Sequence, residues 1–445
     1  MVYILKIGGD ITSNPENIRK VKSLLDEKVE KEKVILVASG MRGVTDDLID
    51  YTHKFDKPLK VLIKDLADKH YELGASLGLR YDDISKVITP ELVSLGEDLK
   101  FLDKHRSDDK KASEDVISSG ERLLCSILGV YLSETSPWKF NKVTTGKDIG
   151  ILTDENYGNA KIIRKDAKEN VNKYYDEFMN NPNRLLIVTG FDGTDGKHRT
   201  TLGRSGSDQT TTFLAYALGA DSVHLIKSVK GIMTADPKLV TDARTINKLS
   251  YELAREAGNV QEEAVIWARE ANIPMYVHFI DDMETKTKVQ TSNGEQGYKL
   301  ITGTEKAVYI SIGNIRDTPG TAHQITGILF NNGLNSAMIS EGRNSIGFTI
   351  DNSKDYNLES AKKELIAEGY QVRNPEECSL IRGVGEITDD DHLDFMNAFR
   401  EFKKQSGLES PFSKSAYDSD TYSASISIPR KHYKNAIRFM HDKLV

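Results

Sequence analysis

The run Thr200-Thr201-Leu202-Gly203-Arg204-Ser205-Gly206-Ser207-Asp208 gathers glycines, hydroxyls, a guanidinium and a carboxylate into one short stretch. That set suits anion chemistry. Glycines let backbone N–H groups turn toward an anion, and a following helix N-terminus adds partial positive charge. Arg204 can fork onto a carboxylate or a phosphate, and Asp208 can organise a phosphate site through a lysine or a metal. The plainer role is a capped turn, with Ser207 or Asp208 as N-cap. A second set opens the chain, where Lys6 precedes Gly8-Gly9-Asp10. There it is a point charge beside exposed backbone donors, or else a surface lysine at a strand end. Ser39 and Thr45 stand in a third polar loop as ligand contacts or turn formers. Glu121 begins an apolar helix, where a carboxylate is favoured by the dipole and can also meet a substrate ammonium. Lys227, Lys230 and Lys238 crowd a later strand exit, and chemistry alone does not rank them.

These groups need elements to position them. Val2–Ile7, Val34–Ala38 and Leu185–Val188 are mainly apolar runs, the pattern of central parallel strands, and Ser222–Ile226 is read as a further strand. Each is followed by a polar loop and then by helix-like spacing. Open parallel sheets bind ligands at the carboxyl ends of their strands, so the loops are expected to converge there. Further strands are expected near Val143–Thr145 and Ile149–Thr153, and a charged helical insertion over residues 48–115. Beyond the linker-like Asp281–Lys286 and Ser292–Gly297 the pattern becomes strand, helix, strand, twice over, a degenerate repeat of a small α+β unit.

At 445 residues the chain exceeds one ordinary domain. Its net charge of −7 without a basic stripe argues against nucleic acid or a membrane surface as partner. Two cysteines, Cys125 and Cys378, form no metal pattern and suit a reducing compartment. No apolar run reaches about 20 residues, and no signal peptide opens the chain, so a cytoplasmic location is expected.

Taken in order, the motifs resemble those of the aspartokinases, in the amino acid kinase superfamily. Lys6-Ile7-Gly8-Gly9, Gly43-Val44-Thr45-Asp46, Gly120-Glu121-Arg122-Leu123, Thr200 to Asp208 and Gly231 to Pro237 each match a family segment. The resemblance implies an α/β fold: a three-layer sandwich with a central, mainly parallel sheet over residues 1–296. It implies tandem βαββαβ, ferredoxin-like ACT domains, small amino-acid-sensing modules, over 297–445. In the family one such unit is partly embedded in the other, which would assign Tyr298–Ile301 to the second.

The implied activity is transfer of the γ-phosphate of ATP, with Mg2+, to the β-carboxylate of L-aspartate. The product would be 4-phospho-L-aspartate, the first step toward lysine, threonine and methionine. By the same resemblance Lys6, Gly8 and Gly9 face the transferred phosphate, and Asp208 orients a lysine or the metal shell. Ser39, Thr45, Glu121, Arg204 and Ser207 hold aspartate. Lys227, Ser228, Gly231, Asp236 and Pro237 line the nucleotide. Asn335 and Glu341 are candidate contacts for a lysine or threonine effector, and a homodimer or higher homo-oligomer is expected. The alternatives are an amino acid kinase for another small carboxylate and a catalytically weakened amino-acid sensor.

The chain also departs from the family pattern. Asp10 stands where Thr or Ser is usual, and Lys227-Ser228-Val229-Lys230 replaces Thr-Asp-Val-Asp. Gly258-Asn259-Val260-Gln261-Glu262-Glu263 replaces Gly-Ala-Lys-Val-Leu-His-Pro, so an expected phosphate-side lysine has no match. Lys227 or Lys230 is positioned in sequence to supply that charge. In the first ACT unit the family's Asn-Ile after Gly reads Leu334-Asn335.

Overall fold

Strand β1 (Val2–Ile7) and strand β2 (Lys33–Ala38) are apolar and almost wholly buried, as central parallel strands must be. Between them run a single helical turn, α1 (Gly9–Thr12), and α2 (Pro15–Lys31). Pro15 opens α2, and the Asn14 side chain accepts the Glu16 N–H at 2.9 Å. The computed structural model describes residues 2–54, 57–105, 109–137, 142–180, 184–292, 294–315, 320–334, 336–342, 344–351, 358–408 and 422–445.

The expected helical insertion consists of α3 (Val44–Lys54), α4 (Leu59–Ser76), α5 (Tyr81–His105) and α6 (Lys110–Ile117), leading into α7 (Ser119–Thr135). Leu48, Leu62, Leu66, Leu95, Leu99 and Val116 give the insertion its own apolar core. By length and composition Lys110–Thr135 could cross a membrane, at a mean hydropathy of 1.2. However, 78% of that window is buried inside the fold, which makes it a core helix.

Next come β3 (Lys142–Thr144), α8 (Arg164–Met179), β4 (Leu185–Thr189), the hairpin β5 (Asp192–Thr194) and β6 (Arg199–Thr201), α9 (Gly206–Leu218) and β7 (Val223–Lys227). Then β8 (Lys248–Ser250), α10 (Tyr251–Ala257), α11 (Glu262–Glu270), β9 (Met275–Phe279) and β10 (Asp282–Gln290) follow. The strand expected over Ile149–Thr153 does not form. Ile149 and Ile151 donate their N–H groups to Thr145 and Gly146 carbonyls at 2.9 Å, closing a turn. Only single bridges remain, at Leu152 and Thr153.

The main sheet has the order β3-β4-β2-β1-β7-β9-β10-β8. Every pairing is parallel except β9 with β10. Alternate residues point to opposite faces. Leu5, Ile7, Leu36 and Leu185 pack with α2 and α7 in one core. Lys6, of opposite parity, reaches Asp208 on α9 across the other face. Helices therefore cover both sides of a mainly parallel sheet, the three-layer arrangement expected.

The chain divides into two compact units, Met1–Ile232 with Asn247–Thr291, and Met233–Ile246 with Ser292–Val445. The second contains β11 (Gly297–Gly313), α12 (Thr321–Asn331), β12 (Ser336–Gly342), β13 (Ser345–Asp351), α13 (Leu358–Ala367), β14 (Gln371–Val372), β15 (Glu376–Glu386), α14 (Asp389–Ser406), β16 (Ser423–Pro429) and α15 (Tyr433–Leu444). The two short strands read separately at Tyr298–Ile301 and Val308–Ile312 are one 17-residue strand, β11. Its first half pairs with β15, as Tyr298 opposite Gly385. Its second half pairs with β13 as well, as Ile310 opposite Phe348. Thus β11-α12-β12-β13-α13-β14 is one βαββαβ unit, inserted ahead of the β15, α14, β16 and α15 that complete the other. Each has its own core, around Ile310, Ile325 and Phe348 in the first and Ile301, Phe395 and Ile437 in the second. Met233–Ile246 joins the latter: Ala235 and Val240 enter its core, and Thr234 accepts the Ile301 N–H at 2.8 Å.

The α9 face tests this packing. Phe213 is fully buried and meets Trp267 edge-on at 5.1 Å. Phe213→Ala is expected to cost about 3–5 kcal/mol, seen as a lower urea midpoint. A loss below about 1 kcal/mol would mean that this layer does not carry the unit's stability.

Candidate active site

The carboxyl ends of β1, β2, β4 and β7 meet at the start of α9. Asp208, in the first turn of α9, is 2% exposed. Its Oδ1 lies 2.7 Å from the Lys6 ammonium and its Oδ2 3.2 Å from the Lys227 ammonium. Burial alone would raise the Asp208 carboxyl, but Lys6 and then Lys227 outweigh it and hold the group near 2. Burial draws Lys6 below its ordinary value while Asp208 pushes it back up. Gly8 lies two residues beyond Lys6, and a Cβ there would fall 3.3 Å from the Lys6 ammonium. Glycine at this position therefore spares the ammonium a tight contact with a side chain.

A second group forms where β2 ends. Glu121, in the first turn of α7, is buried. Its Oε1 accepts the Gly40 N–H at 3.0 Å and the Thr45 hydroxyl at 3.4 Å. Its Oε2 is buried and meets no hydrogen-bond donor among the described residues. Burial raises its carboxyl to about 7, with the Gly40 N–H pulling the other way. Ser39 donates to the Ser207 hydroxyl at 2.7 Å, linking this group to α9. A cationic partner, such as an ammonium, would satisfy Oε2 and hold Glu121 ionised.

The loop into α9 is conformationally demanding. Phe191, Gly203 and Ser205 all have positive φ, at 80°, 74° and 56°. For Phe191 and Ser205 this is uncommon backbone, of the kind that collects at functional sites. Ser205 occupies the N-cap without a side-chain cap bond, so neither Ser207 nor Asp208 is spent on capping. At Gly190 a Cβ would fall 2.4 Å from the Ser207 hydroxyl, so only glycine lets the β4 exit approach α9 so closely. Arg204 is exposed, with no ion-pair partner among the described residues.

The expected residues Lys6, Gly8, Gly9, Ser39, Thr45, Glu121, Ser207, Asp208 and Lys227 come together in the first unit. Ser228 joins them by donating to Asp10 Oδ2 at 3.3 Å, while Asp10 Oδ1 lies 3.2 Å from Arg42. Gly231 is buried in the same unit at φ 76°. Asp236 and Pro237 belong to the second unit, where Asp236 accepts the Lys238 N–H at 2.9 Å in a turn. Asn335 lies outside the described residues, and Glu341 belongs to β12.

Two buried acids escaped the sequence reading. Asp192 is 1% exposed and accepts from Thr189 Oγ1 at 2.6 Å, from the Gly146 N–H at 3.0 Å and from Arg199. Its signal was an Asp-Gly at a strand exit followed by an arginine across a hairpin. Glu114 is as deeply buried, and burial raises it to about 7. Nothing in the sequence separates it from the neighbouring Asp115.

Residues 1–278 match the model of the amino acid kinase family. An aspartokinase of Geobacillus stearothermophilus is 30% identical over 365 residues, covering 78% of this chain and 75% of the relative. One from Corynebacterium efficiens is 30% identical over 358 residues, covering 78% and 72%. Among solved structures, E. coli aspartokinase III with aspartate and ADP aligns over 100% of both chains with a TM-score of 0.81 at 20% identity. The same enzyme with lysine and aspartate aligns over 100% of this chain and 99% of that one with a TM-score of 0.74. These two show a shared fold.

Glu121 makes stability depend on pH. Its folded-state value of about 7 lies above the ordinary 4.5, so its favourable contribution is complete below about 4.5 and is lost as pH rises through 7. From pH 5 to pH 8 the wild-type chain is expected to lose on the order of 3 kcal/mol relative to Glu121→Gln. Parallel stability profiles for the two proteins would contradict this environment.

Proposed function

The chain belongs to the amino acid kinase family and, within it, to the aspartokinases, and we propose that it phosphorylates L-aspartate with ATP. The γ-phosphate passes to the β-carboxylate, giving 4-phospho-L-aspartate and ADP. The carrying observation is the buried Lys6–Asp208 pair beside the Gly8-Gly9 turn, with the half-satisfied Glu121 at the start of α7. In-line transfer needs positioning and charge stabilisation more than covalent help from the protein. A β-carboxylate oxygen attacks the γ-phosphorus. The bond from that phosphorus to the bridging oxygen breaks, and ADP leaves with the electron pair. No proton has to move, because the attacking carboxylate is already ionised.

Lys6 and the Gly8-Gly9 backbone face the transferred group, and Asp208 holds Lys6 in place. Glu121 takes the aspartate ammonium, Arg204 forks onto a carboxylate, and Ser39, Thr45 and Ser207 complete the contacts. Ser228 and Gly231 serve the nucleotide. Among the described residues no three or more His, Cys, Asp or Glu cluster as a metal cage. A magnesium ion would be carried by nucleotide phosphates and water, with few protein ligands. When bound it neutralises phosphate charge.

The second unit is proposed to bind an amino-acid effector, lysine or threonine, with Glu341 and Asn335 as contacts. The E. coli structure with lysine and aspartate motivates the first choice. Strand β12 is an edge of its sheet, and pairing it with a second copy would cover that edge in a homodimer. The reaction would open lysine, threonine and methionine synthesis in the cytoplasm.

An ATP-dependent hydroxamate assay with aspartate, glutamate and acetylglutamate tests the acceptor. Signal with aspartate alone is expected, and Arg204→Ala should raise the aspartate KM at least about tenfold. Signal with another acid would reassign the substrate; none would leave a sensor. Light scattering should find a dimer or larger, and a monomer with and without lysine or threonine would sink the regulatory scheme.

A further inference from the structure

We propose that Lys227, at the end of β7, is a second phosphate-binding cation of this site. This rests on the ATP-dependent reading above. Lys6 lies opposite Leu225 in the β1–β7 ladder, so Leu225 and Lys227, two residues apart, share its face of the sheet. Both lysines therefore rise toward α9, where Asp208 gives one oxygen to each, at 2.7 Å and 3.2 Å.

The charge count shows why Asp208 alone does not account for Lys227. One ammonium already neutralises one carboxylate. The cluster instead holds two cations and one anion, with side-chain exposures of 7% for Lys6, 23% for Lys227 and 2% for Asp208. Crowding a second cation onto a satisfied buried pair is costly unless a further anion completes the group. A Cβ at Gly8 would press on the Lys6 ammonium at 3.3 Å, so glycine there leaves that ammonium free of a crowding side chain. Lys227 is also the more exposed of the two lysines, as expected of the one turned toward an incoming ligand. The occupant is a polyphosphate: a charge-dense anion that engages two ammonium groups and adjacent backbone N–H groups at once. Asp208 then acts as the spacer that keeps the two cations together while its own charge limits their repulsion.

The test uses the full-length protein with magnesium and two probes, adenosine and the non-hydrolysable β,γ-imido analogue of ATP, titrated by calorimetry. Lys227→Met should weaken the analogue at least about tenfold and leave adenosine binding unchanged, at an unchanged melting temperature. Lys227→Arg should keep most of the analogue affinity while lowering kcat, because the charge remains but its position shifts. Wild-type analogue affinity and turnover in Lys227→Met would overturn the assignment, as would equal losses for analogue and adenosine. Should Lys227→Met not fold, wild-type kcat in Lys227→Arg would overturn it instead. Wild-type protein that binds the analogue but phosphorylates no aspartate would sink the acceptor reading and leave the Lys227 comparison intact. Wild-type protein that binds neither probe would sink both.

Discussion

A carboxylate that is almost completely buried has to be paired, and the pairing of Asp208 sets the plan of the catalytic unit. An isolated charge in that position would cost many kcal/mol, so ammonium groups must be brought to it. Lys6 can reach it only if β1 lies beneath α9 with the parity that turns Lys6 to that face. Lys227 can reach it only if β7 is the next strand. The parallel order β2-β1-β7 is thus tied to the ion pairs it creates. The close approach of the β4 exit to α9 at Gly190 completes the frame.

The two halves of the site are built on opposite electrostatic principles. At Asp208 the protein over-supplies positive charge and depresses a carboxyl. At Glu121 it under-supplies it and raises one. The first arrangement is ready for an anion and the second for a cation. An amino acid and a nucleotide present those charges together, and hydroxyls of Ser39 and Ser207 join the halves. The uncommon backbone at Phe191 and Ser205 lies where the two halves meet, which is where a fold can hold strain that pre-arranges a site.

The second unit depends on a different device. A strand as long as β11 lets two small α+β units share one sheet, with β15 and β16 on one side and β13 and β12 on the other. The chain enters this unit twice, through Met233–Ile246 and again after Ser292.

Much of this was legible before any coordinates. Apolar runs ending in glycine and hydroxyl loops specify central parallel strands with ligands at their carboxyl ends, because periodicity and turn chemistry are local properties. Lys6, Glu121 and Asp208 were legible for the same reason: each stands at a strand end or helix start where a charge is unusual or useful. Tertiary structure decided which charges meet. Lys227, Lys230 and Lys238 look alike in sequence, and only the β1–β7 register brings Lys227 to Asp208. Glu114 and Asp115 look alike too, and only packing buries the first. Ile149–Thr153 has the composition of a strand, yet its donors are consumed in a turn before a neighbour can claim them. The fusion of two short strands into β11 depended on partners far away in sequence. Local chemistry writes the elements and the reactive loops; desolvation and pairing across the sheet, which are non-local, select the charges that work.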